Sequence, residues 1–268
     1  MSKIAEIYDT LFTFEIFSKK EAYPIHKRIE FVEDNCTDIA DWILKKELCP
    51  AGSSVLDVGC GTGNTLFKLA KFKQAVGLGI SISEKEIEFA NSQLKKLNLT
   101  SSIKFHNQSF DEPINHEKFD IIIAIESLKH STNYSKTLKN LLKASHQDTV
   151  FIIADDFIIH PSAESKQQMV LWNAPSLFSV PIFKELMEQE GLNIINLYFF
   201  TDKVNIKSKF VLIILIFLFK FLRKIVTKSV KTLVETYLGA LLLERLYQKK
   251  QMDYCIIVAG RNDIDFYN

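Results

Sequence analysis

The stretch VLDVGCGTGN, residues Val55 to Asn64, decides the fold of this chain. Its first residues are mostly apolar and predict a buried strand, which the glycine-rich turn from Gly59 to Gly63 ends abruptly. Apolar side chains then recur at helical spacing over residues 66–72. A strand, a glycine turn and a helix predict the opening unit of an α/β sheet, where the backbone can approach a ligand closely.

The spacing of the glycines narrows the class of ligand. A dinucleotide-binding turn has the pattern G-x-G-x-x-G, but Asn64 stands where its third glycine belongs. A phosphate-binding P-loop needs Gly-Lys followed by Ser or Thr, and the turn lacks these residues. What remains is an acid, Asp57, two residues ahead of a G-x-G-x-G turn. The turn alone is also compatible with a strand–turn–helix unit that binds no ligand.

The composition allows one large domain, or one domain with a cap, in 268 residues. With 33 Lys and Arg against 32 Asp and Glu, the net charge of +1 predicts no preference for nucleic acid. The four cysteines lie far apart, and there is no histidine cluster, so we expect neither a disulfide framework nor a metal site. The first residues lack the pattern of a secretory signal, which predicts a cytoplasmic location.

Strands and helices alternate through most of the chain. Strands are predicted near residues 55–58, 74–80, 103–105, 119–125, 149–157, 193–200 and 254–259. Helices are predicted from residue 83 and over 135–144 and 180–190. Because parallel strands need such crossover helices, the pattern predicts a Rossmann-like α/β sheet of seven strands with helices on both faces.

The chain divides into four predicted segments. Two stretches, after the fifth strand and over 203–250, are too long for simple connections, and we interpret them as a helical cap. The segments are an N-terminal helical lid, a cofactor-binding core, cap helices around one core strand near 192–200, and the last strand with the C-terminus: 1–50, 51–160, 161–250 and 251–268.

Polar residues follow the second and third predicted strands. The second strand closes in G-I-S-I-S-E-K-E, which places Ser81 at the strand end and Glu86 in the next helix. Ser109 and Phe110 follow the third strand.

The fourth and fifth strands carry further candidates. The fourth, within FDIIIAIESLKHS, has Glu126 and His130 at its carboxyl end, and the fifth includes Asp155 in IADDF. Because the carboxyl ends of parallel strands share one edge of a sheet, we expect these residues beside the glycine turn.

These motifs resemble the class I methyltransferases, which use S-adenosylmethionine. G-I-S-I-S-E-x-E and A-I-E-S-L-x-H are similar to a subgroup of sterol C-methyltransferases, cyclopropane-fatty-acid synthases and natural-product sugar O-methyltransferases. The resemblance covers roughly residues 40–204, with a weaker return at 253–261. It implies S-adenosylmethionine as cofactor and the seven-stranded sheet of that class.

The resemblance also implies where the cofactor binds. The glycine turn would meet the amino-acid end of the cofactor, and Asp57 would orient the loop and, through water, the ammonium. Ser81 and Glu86 stand in for the acid that usually holds the ribose. Ser109 replaces the usual adenine-binding aspartate, while Phe110 can stack on the base. The expected cofactor-binding residues are Asp57, Gly59, Cys60, Gly61, Gly63, Ser81, Ile82, Glu86, Ser109, Phe110 and Ile125.

Two of these residues have structural alternatives. The structural alternative for Cys60 is that its small side chain only fills space in the turn. Glu86 also completes the capping-box pattern that begins at Ser83, in which the carboxylate reaches back to the Ser83 amide. The sequence leaves both roles of Glu86 open.

His130 is the expected catalytic base, since imidazole normally titrates near neutral pH and the residue lies at the active edge. The resemblance implies that Asp155 orients or charge-balances it, as in the sugar methyltransferases. Alternatively, His130 only satisfies a loop carbonyl. Glu126 would hold the cofactor or acceptor, or stabilise a carbocation during C-methylation. His26, in the N-terminal lid, is the one other histidine that we place near this site.

The cap points to a hydrophobic acceptor. Its stretch FVLIILIFLF, residues 210–219, is too short to span a bilayer. Residues 203–250 hold eleven Lys and Arg against Glu235 and Glu244. A basic, apolar cap suits a hydrophobic or anionic acceptor, or peripheral contact with an anionic membrane. A buried cap helix beside solvated basic residues is the alternative.

The predicted function is transfer of a methyl group from S-adenosylmethionine to oxygen or carbon of a hydrophobic small molecule, which is natural-product, isoprenoid or lipid-like. Two alternatives stay open: a catalytically inactive cofactor-binding scaffold, which Ser81 and Ser109 favour, and a cyclopropane-forming lipid methyltransferase. The sequence predicts neither the acceptor's identity nor an oligomeric state.

Overall fold

A seven-stranded sheet organises the structure, a computed structural model that describes residues 2–15, 36–115 and 118–261. The strands are β1 (Ser54–Val58), β2 (Val76–Ser81), β3 (Ile103–Asn107), β4 (Phe119–Ile125), β5 (Ser145–Ile158), β6 (Asn193–Phe199) and β7 (Met252–Gly260). They lie in the order β3-β2-β1-β4-β5-β7-β6, and β7 is antiparallel to both of its neighbours. The predicted seven-stranded α/β sheet is confirmed.

Helices cover both faces of this sheet. They are α1 (Lys3–Glu15), α2 (Ile39–Lys45), α3 (Asn64–Lys73), α4 (Glu84–Leu97), α5 (Tyr134–Lys143), α6 (Ala163–Trp172), α7 (Val180–Gln189), α8 (Lys209–Ile225) and α9 (Lys228–Gln248). Alternation along β4 shows how one strand serves both faces. Ile121, Ile123 and Ile125 pack with α2, α3 and α4, whereas Ile122 and Ala124 pack with α5 and α7.

The cap consists of α6, α8 and α9, which pack around a small core of their own. That core contains Leu171, Leu212, Ile216, Leu238, Leu241 and Leu242. By contrast, α7 lies on the sheet, where Phe183 and Met187 are buried. α1 rests on α9, and the Thr232 hydroxyl donates to the Glu6 carboxylate at 2.9 Å. The division into four segments stays a prediction, and residues 16–35 of the expected lid, with His26, lie outside the described residues.

The turn after β1 requires glycine for reasons of space. Gly59 has φ +81°, and a Cβ there would lie 2.4 Å from the Ser127 Cβ. Ser127 is held in this place because its hydroxyl donates to the Val58 carbonyl at 2.6 Å. The carboxyl ends of β1 and β4 therefore approach more closely than a side chain at position 59 allows.

Gly59→Ala should cost more stability than Gly191→Ala. Both glycines have φ near +80°, but nothing lies within 4 Å of a Cβ at Gly191. The left-handed backbone costs either variant about 1–2 kcal/mol, and the clash with Ser127 should cost Gly59→Ala roughly 1–3 kcal/mol more. Urea denaturation of both variants measures the difference. Equal losses in the free energy of unfolding would refute the close approach of β1 and β4.

Candidate active site

A cavity of about 850 Å³, counted out to its mouth, lies where the carboxyl ends of β1, β2 and β4 meet α1. Ten of the predicted site residues line it: Gly59, Gly61, Ser81, Ile82, Glu86, Ser109, Phe110, Ile125, Glu126 and His130. Six lining residues were not predicted: Ser2, Ile4, Tyr8, Asp111, Ser127 and Thr132. Four predicted residues lie outside the lining: Asp57, Cys60, Gly63 and Asp155.

Asp57 is buried in β1, just before the glycine turn. Its Oδ2 oxygen has no hydrogen-bond partner among the described residues. Burial raises the pKa of the carboxyl group to about 7. Buried polar atoms are normally hydrogen-bonded, so an unpartnered oxygen behind a ligand cavity fits a ligand that brings a cation or an ordered water.

Cys60 and Gly63 have structural rather than lining positions. The Cys60 side chain is buried in the core on the α3 face of the sheet. Gly63 precedes α3 with φ +86°, and Phe105 and Phe67 occupy the space that a side chain would need. Both residues therefore shape the turn, while Gly59 and Gly61 line the cavity. Their predicted part in cofactor binding stays a prediction.

Ser81 and Glu86 form a buried pair at the end of β2. The Ser81 hydroxyl donates to Glu86 Oε2 at 2.9 Å and accepts from the Ser83 amide. Ser83 does cap α4, since its hydroxyl accepts from the Glu86 amide at 3.2 Å. The Glu86 carboxylate, however, points to Ser81 and not back to the Ser83 amide. The capping box is thus half formed, and the acid is directed towards the cavity.

The loop after β3 is anchored by an acid that sequence reasoning did not single out. Asp111 accepts from Ser131, Thr132 and Thr137, at distances from 2.5 to 3.1 Å. Burial opposes ionisation, but the hydrogen bonds from Thr132 and Thr137 lower the pKa of Asp111. Asp111 therefore fastens the segment just after His130, while Ser109 closes the turn by accepting from the Asp111 amide.

Both ring nitrogens of His130 are engaged. Nδ1 lies 3.0 Å from the Asn173 carbonyl oxygen, and Nε2 lies 3.1 Å from the Tyr8 hydroxyl. A carbonyl can only accept, so Nδ1 carries the proton and Nε2 accepts from Tyr8. Burial, assisted by the Lys129 charge, lowers the pKa of His130 to about 3. The His130 pKa therefore lies well below that of an ordinary imidazole, and the alternative contact with a loop carbonyl is present.

Lys129, the residue before His130, organises the acids of β5. Its ammonium lies 2.9 Å from Asp155, 2.8 Å from Asp156 and 3.8 Å from Glu126. Burial opposes a charged ammonium, yet these carboxylates raise the pKa of Lys129 well above its ordinary value. Asp155 therefore binds Lys129 and not His130, so the predicted His130–Asp155 pairing is wrong.

Glu126 directly follows β4, and the backbone changes direction at this residue before it reaches Lys129. It has φ +51°, rare for a residue other than glycine, and its amide donates to the Ala154 carbonyl at 2.7 Å. The chain then enters a short 3-10 turn, Leu128–His130, which directs Lys129 towards β5 and His130 towards α1. Glu126 itself lines the cavity and is 5% exposed.

A sequence model of a protein family described as a methyltransferase domain matches residues 50–191. This match covers more than half of the chain, and the chain belongs to that family. An O-methyltransferase of Penicillium expansum is 31% identical over 156 residues, 56% of this chain and 55% of that protein. An O-methyltransferase of Aspergillus nomiae is 32% identical over 158 residues, 56% of this chain and 68% of that protein.

The likeness to solved structures extends over nearly the whole chain. A mycolic acid cyclopropane synthase, crystallised with S-adenosylhomocysteine and CTAB, has a TM-score of 0.71 at 16% identity. The similarity covers 96% of this chain and 97% of that one, and it shows a shared fold. The chain spans about half the length of the Penicillium relative. The predicted class I methyltransferase family and its fold are confirmed, and the cofactor expected from the sequence agrees with the family.

Proposed function

We propose that this chain binds S-adenosylmethionine in the cavity and methylates a hydroxyl group of a hydrophobic small molecule. The observation that carries this proposal is that Gly61 of the glycine turn and His130, whose Nε2 is a hydrogen-bond acceptor, line one cavity. The names of the two fungal relatives support transfer to oxygen. When bound, the cofactor supplies a methyl group that its sulfonium sulfur already activates.

The residues around the cavity suit each end of this cofactor. Asp57, which lies behind the lining and has an unpartnered oxygen, fits the ammonium of the amino-acid end through an ordered water. Gly59 and Gly61 leave room for contacts between the backbone and the same end. The paired Ser81 and Glu86 offer hydroxyl and carboxylate oxygens to a ribose diol. Phe110 and Ser109 also line the cavity, and the Phe110 ring offers a surface on which the adenine can stack.

The acceptor side of the cavity is largely apolar. Ile4 and the ring of Tyr8, both on α1, contribute apolar side chains to its lining. Such a lining favours a hydrophobic acceptor, because a polar one would lose its hydration without gaining partners. The approach of α1 also excludes water from the space beside His130, which strengthens polar interactions there.

His130 can take the acceptor's proton although its pKa is low. Its Nε2 lone pair is unprotonated near neutral pH, since the pKa is about 3, and it accepts from the Tyr8 hydroxyl in this structure. The acceptor's hydroxyl would replace the Tyr8 hydroxyl as the donor to Nε2 before its proton is transferred. A hydroxyl oxygen becomes far more acidic as it is alkylated, and even a weakly basic imidazole then suffices. Nδ1 keeps its proton and donates it in a hydrogen bond to the Asn173 carbonyl, and this bond holds the ring in the required tautomer.

Glu126 supports a second candidate, methylation of an alkene carbon. Its buried carboxylate lines the cavity and lies 3.8 Å from the Lys129 ammonium. A fixed negative charge in an apolar cavity can stabilise a carbocation, and no proton needs to leave before the new bond forms. With such an acceptor, Glu126→Gln would be more damaging than a change at His130.

Incubation with methyl-labelled S-adenosylmethionine and cell extracts tests the proposed function. We expect label in an organic-soluble product whose new methyl group is an ether by mass spectrometry. A C-methyl product would favour the Glu126 mechanism, and a cyclopropane would favour the lipid-modifying alternative. Binding of S-adenosylhomocysteine without any labelled product would favour the inactive scaffold, and label in protein alone would contradict a small-molecule acceptor.

The affinity for S-adenosylhomocysteine should rise with pH up to about 7 and then level off. The ammonium of the ligand interacts, through an ordered water, with ionised Asp57, whose pKa is raised to about 7, so below that pH binding must first remove a proton. The affinity should therefore fall by about tenfold per pH unit well below pH 7. Asp57→Asn should bind weakly with no such slope, and Asp148→Asn, at an exposed site, is the control. Calorimetry measures both, and a slope that survives in Asp57→Asn would assign it to another group.

His130→Gln should reduce turnover of a hydroxyl acceptor by about a hundredfold, the lower end of the range for general acid–base catalysis, because the base is weak. Affinity for the cofactor should stay nearly unchanged. Tyr8→Phe, which keeps the Nε2 lone pair, should reduce turnover much less. Wild-type enzyme should show no loss of rate from His130 protonation between about pH 5 and 8, given its pKa of about 3. Full turnover in His130→Gln would show that His130 does not act as the base.

A further inference from the structure

α8 exposes an unusual amount of apolar surface. Phe210 and Phe217 are 74% and 76% exposed, and Ile214, Leu218 and Phe221 beside them are also exposed. These five residues recur at helical spacing along one side of the helix, and we call them the outer face of α8. Large contiguous apolar patches on a protein surface usually mark a site of interaction.

The opposite side of α8 is fixed to the protein. Leu212 and Ile216 are buried against α6 and α9 in the core of the cap. The outer face is therefore held in a defined position and cannot be buried by a small rotation of the helix without exposing Leu212 and Ile216. Among the described residues, no helix is long and apolar enough to cross a membrane. α8 can lie on a bilayer but not span it.

Positive charge borders the outer face. Lys220 and Lys224 each follow an outer-face phenylalanine by three residues, which places them along one edge of the apolar stripe. The two acidic residues within 203–250 form salt bridges with other cations: Glu235 pairs with Arg223, and Glu244 pairs with Lys207. No acid of the described residues pairs with Lys220 or Lys224. The face therefore combines exposed aromatic side chains with cations that have no counter-ion in the part of the chain that the structure describes.

We propose that the outer face of α8 docks on an anionic membrane, with its phenylalanines in the interface and its lysines on lipid headgroups. Aromatic residues beside lysines are the combination that anionic lipid interfaces bind. A second copy of the chain fits less well. A symmetric antiparallel contact would bring the lysines of both copies together, and a symmetric parallel contact would not supply them with acidic partners from α8. The inference rests on surface chemistry and does not depend on methyl transfer.

The docked orientation links the membrane to the cavity. α8 packs on α9, and α9 carries α1, whose Ile4 and Tyr8 line the cavity. An acceptor dissolved in the lipid would then reach the protein at α8, which is connected through α9 to the helix α1 that lines the cavity. Such an acceptor never has to cross water as a free molecule, which suits an apolar cavity.

Vesicle co-sedimentation tests the docking with two lipid mixtures. Vesicles of equimolar phosphatidylcholine and phosphatidylglycerol should bind the chain, and pure phosphatidylcholine should bind it much more weakly. Lys220→Glu combined with Lys224→Glu should weaken binding by at least about thirtyfold, since each cation near an anionic surface contributes about fivefold. Lys95→Glu combined with Lys96→Glu, at exposed positions of α4, is the charge-matched control and should bind as wild type does.

Phe217→Ser should weaken vesicle binding by about tenfold, because an inserted phenylalanine is lost from the interface. Phe72→Ser removes a phenylalanine that is 61% exposed on α3 and should leave binding unchanged. Sedimentation equilibrium without lipid measures self-association. Equal binding to both lipid mixtures, equal effects of the two Phe→Ser variants, or a dimer that Phe217→Ser abolishes in a chain that ignores vesicles would each overturn the proposal.

Discussion

The buried ammonium of Lys129 is the interaction on which the site depends. It joins the end of β4 to β5 through Asp155 and Asp156, and the Tyr247 hydroxyl of α9 donates to Asp156 from the cap side. Removing one partner from such a buried group strands the remaining charges, which typically costs 3–5 kcal/mol. The cluster therefore fixes the turn that carries Glu126 and His130, and it ties that turn to the cap.

The same charge sets the chemistry of its neighbour. With Lys129 adjacent and the ring buried, His130 stays neutral, and the Asn173 carbonyl selects the tautomer whose Nε2 accepts. The base proposed here is thus weak but unprotonated near neutral pH, which suits a reaction in which the acceptor oxygen turns acidic late. A strongly basic group is unnecessary where a sulfonium already activates the methyl group, because alignment and exclusion of water supply most of the rate.

The pattern of apolar residues was enough to predict the sheet, because β4 and β7 are nearly continuous apolar runs. The glycine-rich turn then marks where β1 ends and α3 begins. The carboxyl-edge rule then placed Gly61, Ser81, Glu126 and His130 around one cavity without any contact being known. Residue spacing could not decide whether Asp155 meets Lys129 or His130, since the 3-10 turn sends adjacent side chains in opposite directions. It also could not find Tyr8, which is 122 residues from His130 and reaches it only through tertiary docking of α1.

Calorimetric titration of S-adenosylhomocysteine into wild type and Gly61→Val tests most directly whether this cavity is the cofactor site. Gly61 has φ +52° and lines the cavity, so a valine there would fill the space that the ligand needs and strain the turn. We expect one binding site in wild type and no measurable binding in a folded Gly61→Val chain. Unchanged affinity in that variant would contradict the assignment of the glycine turn and, with it, the proposed function.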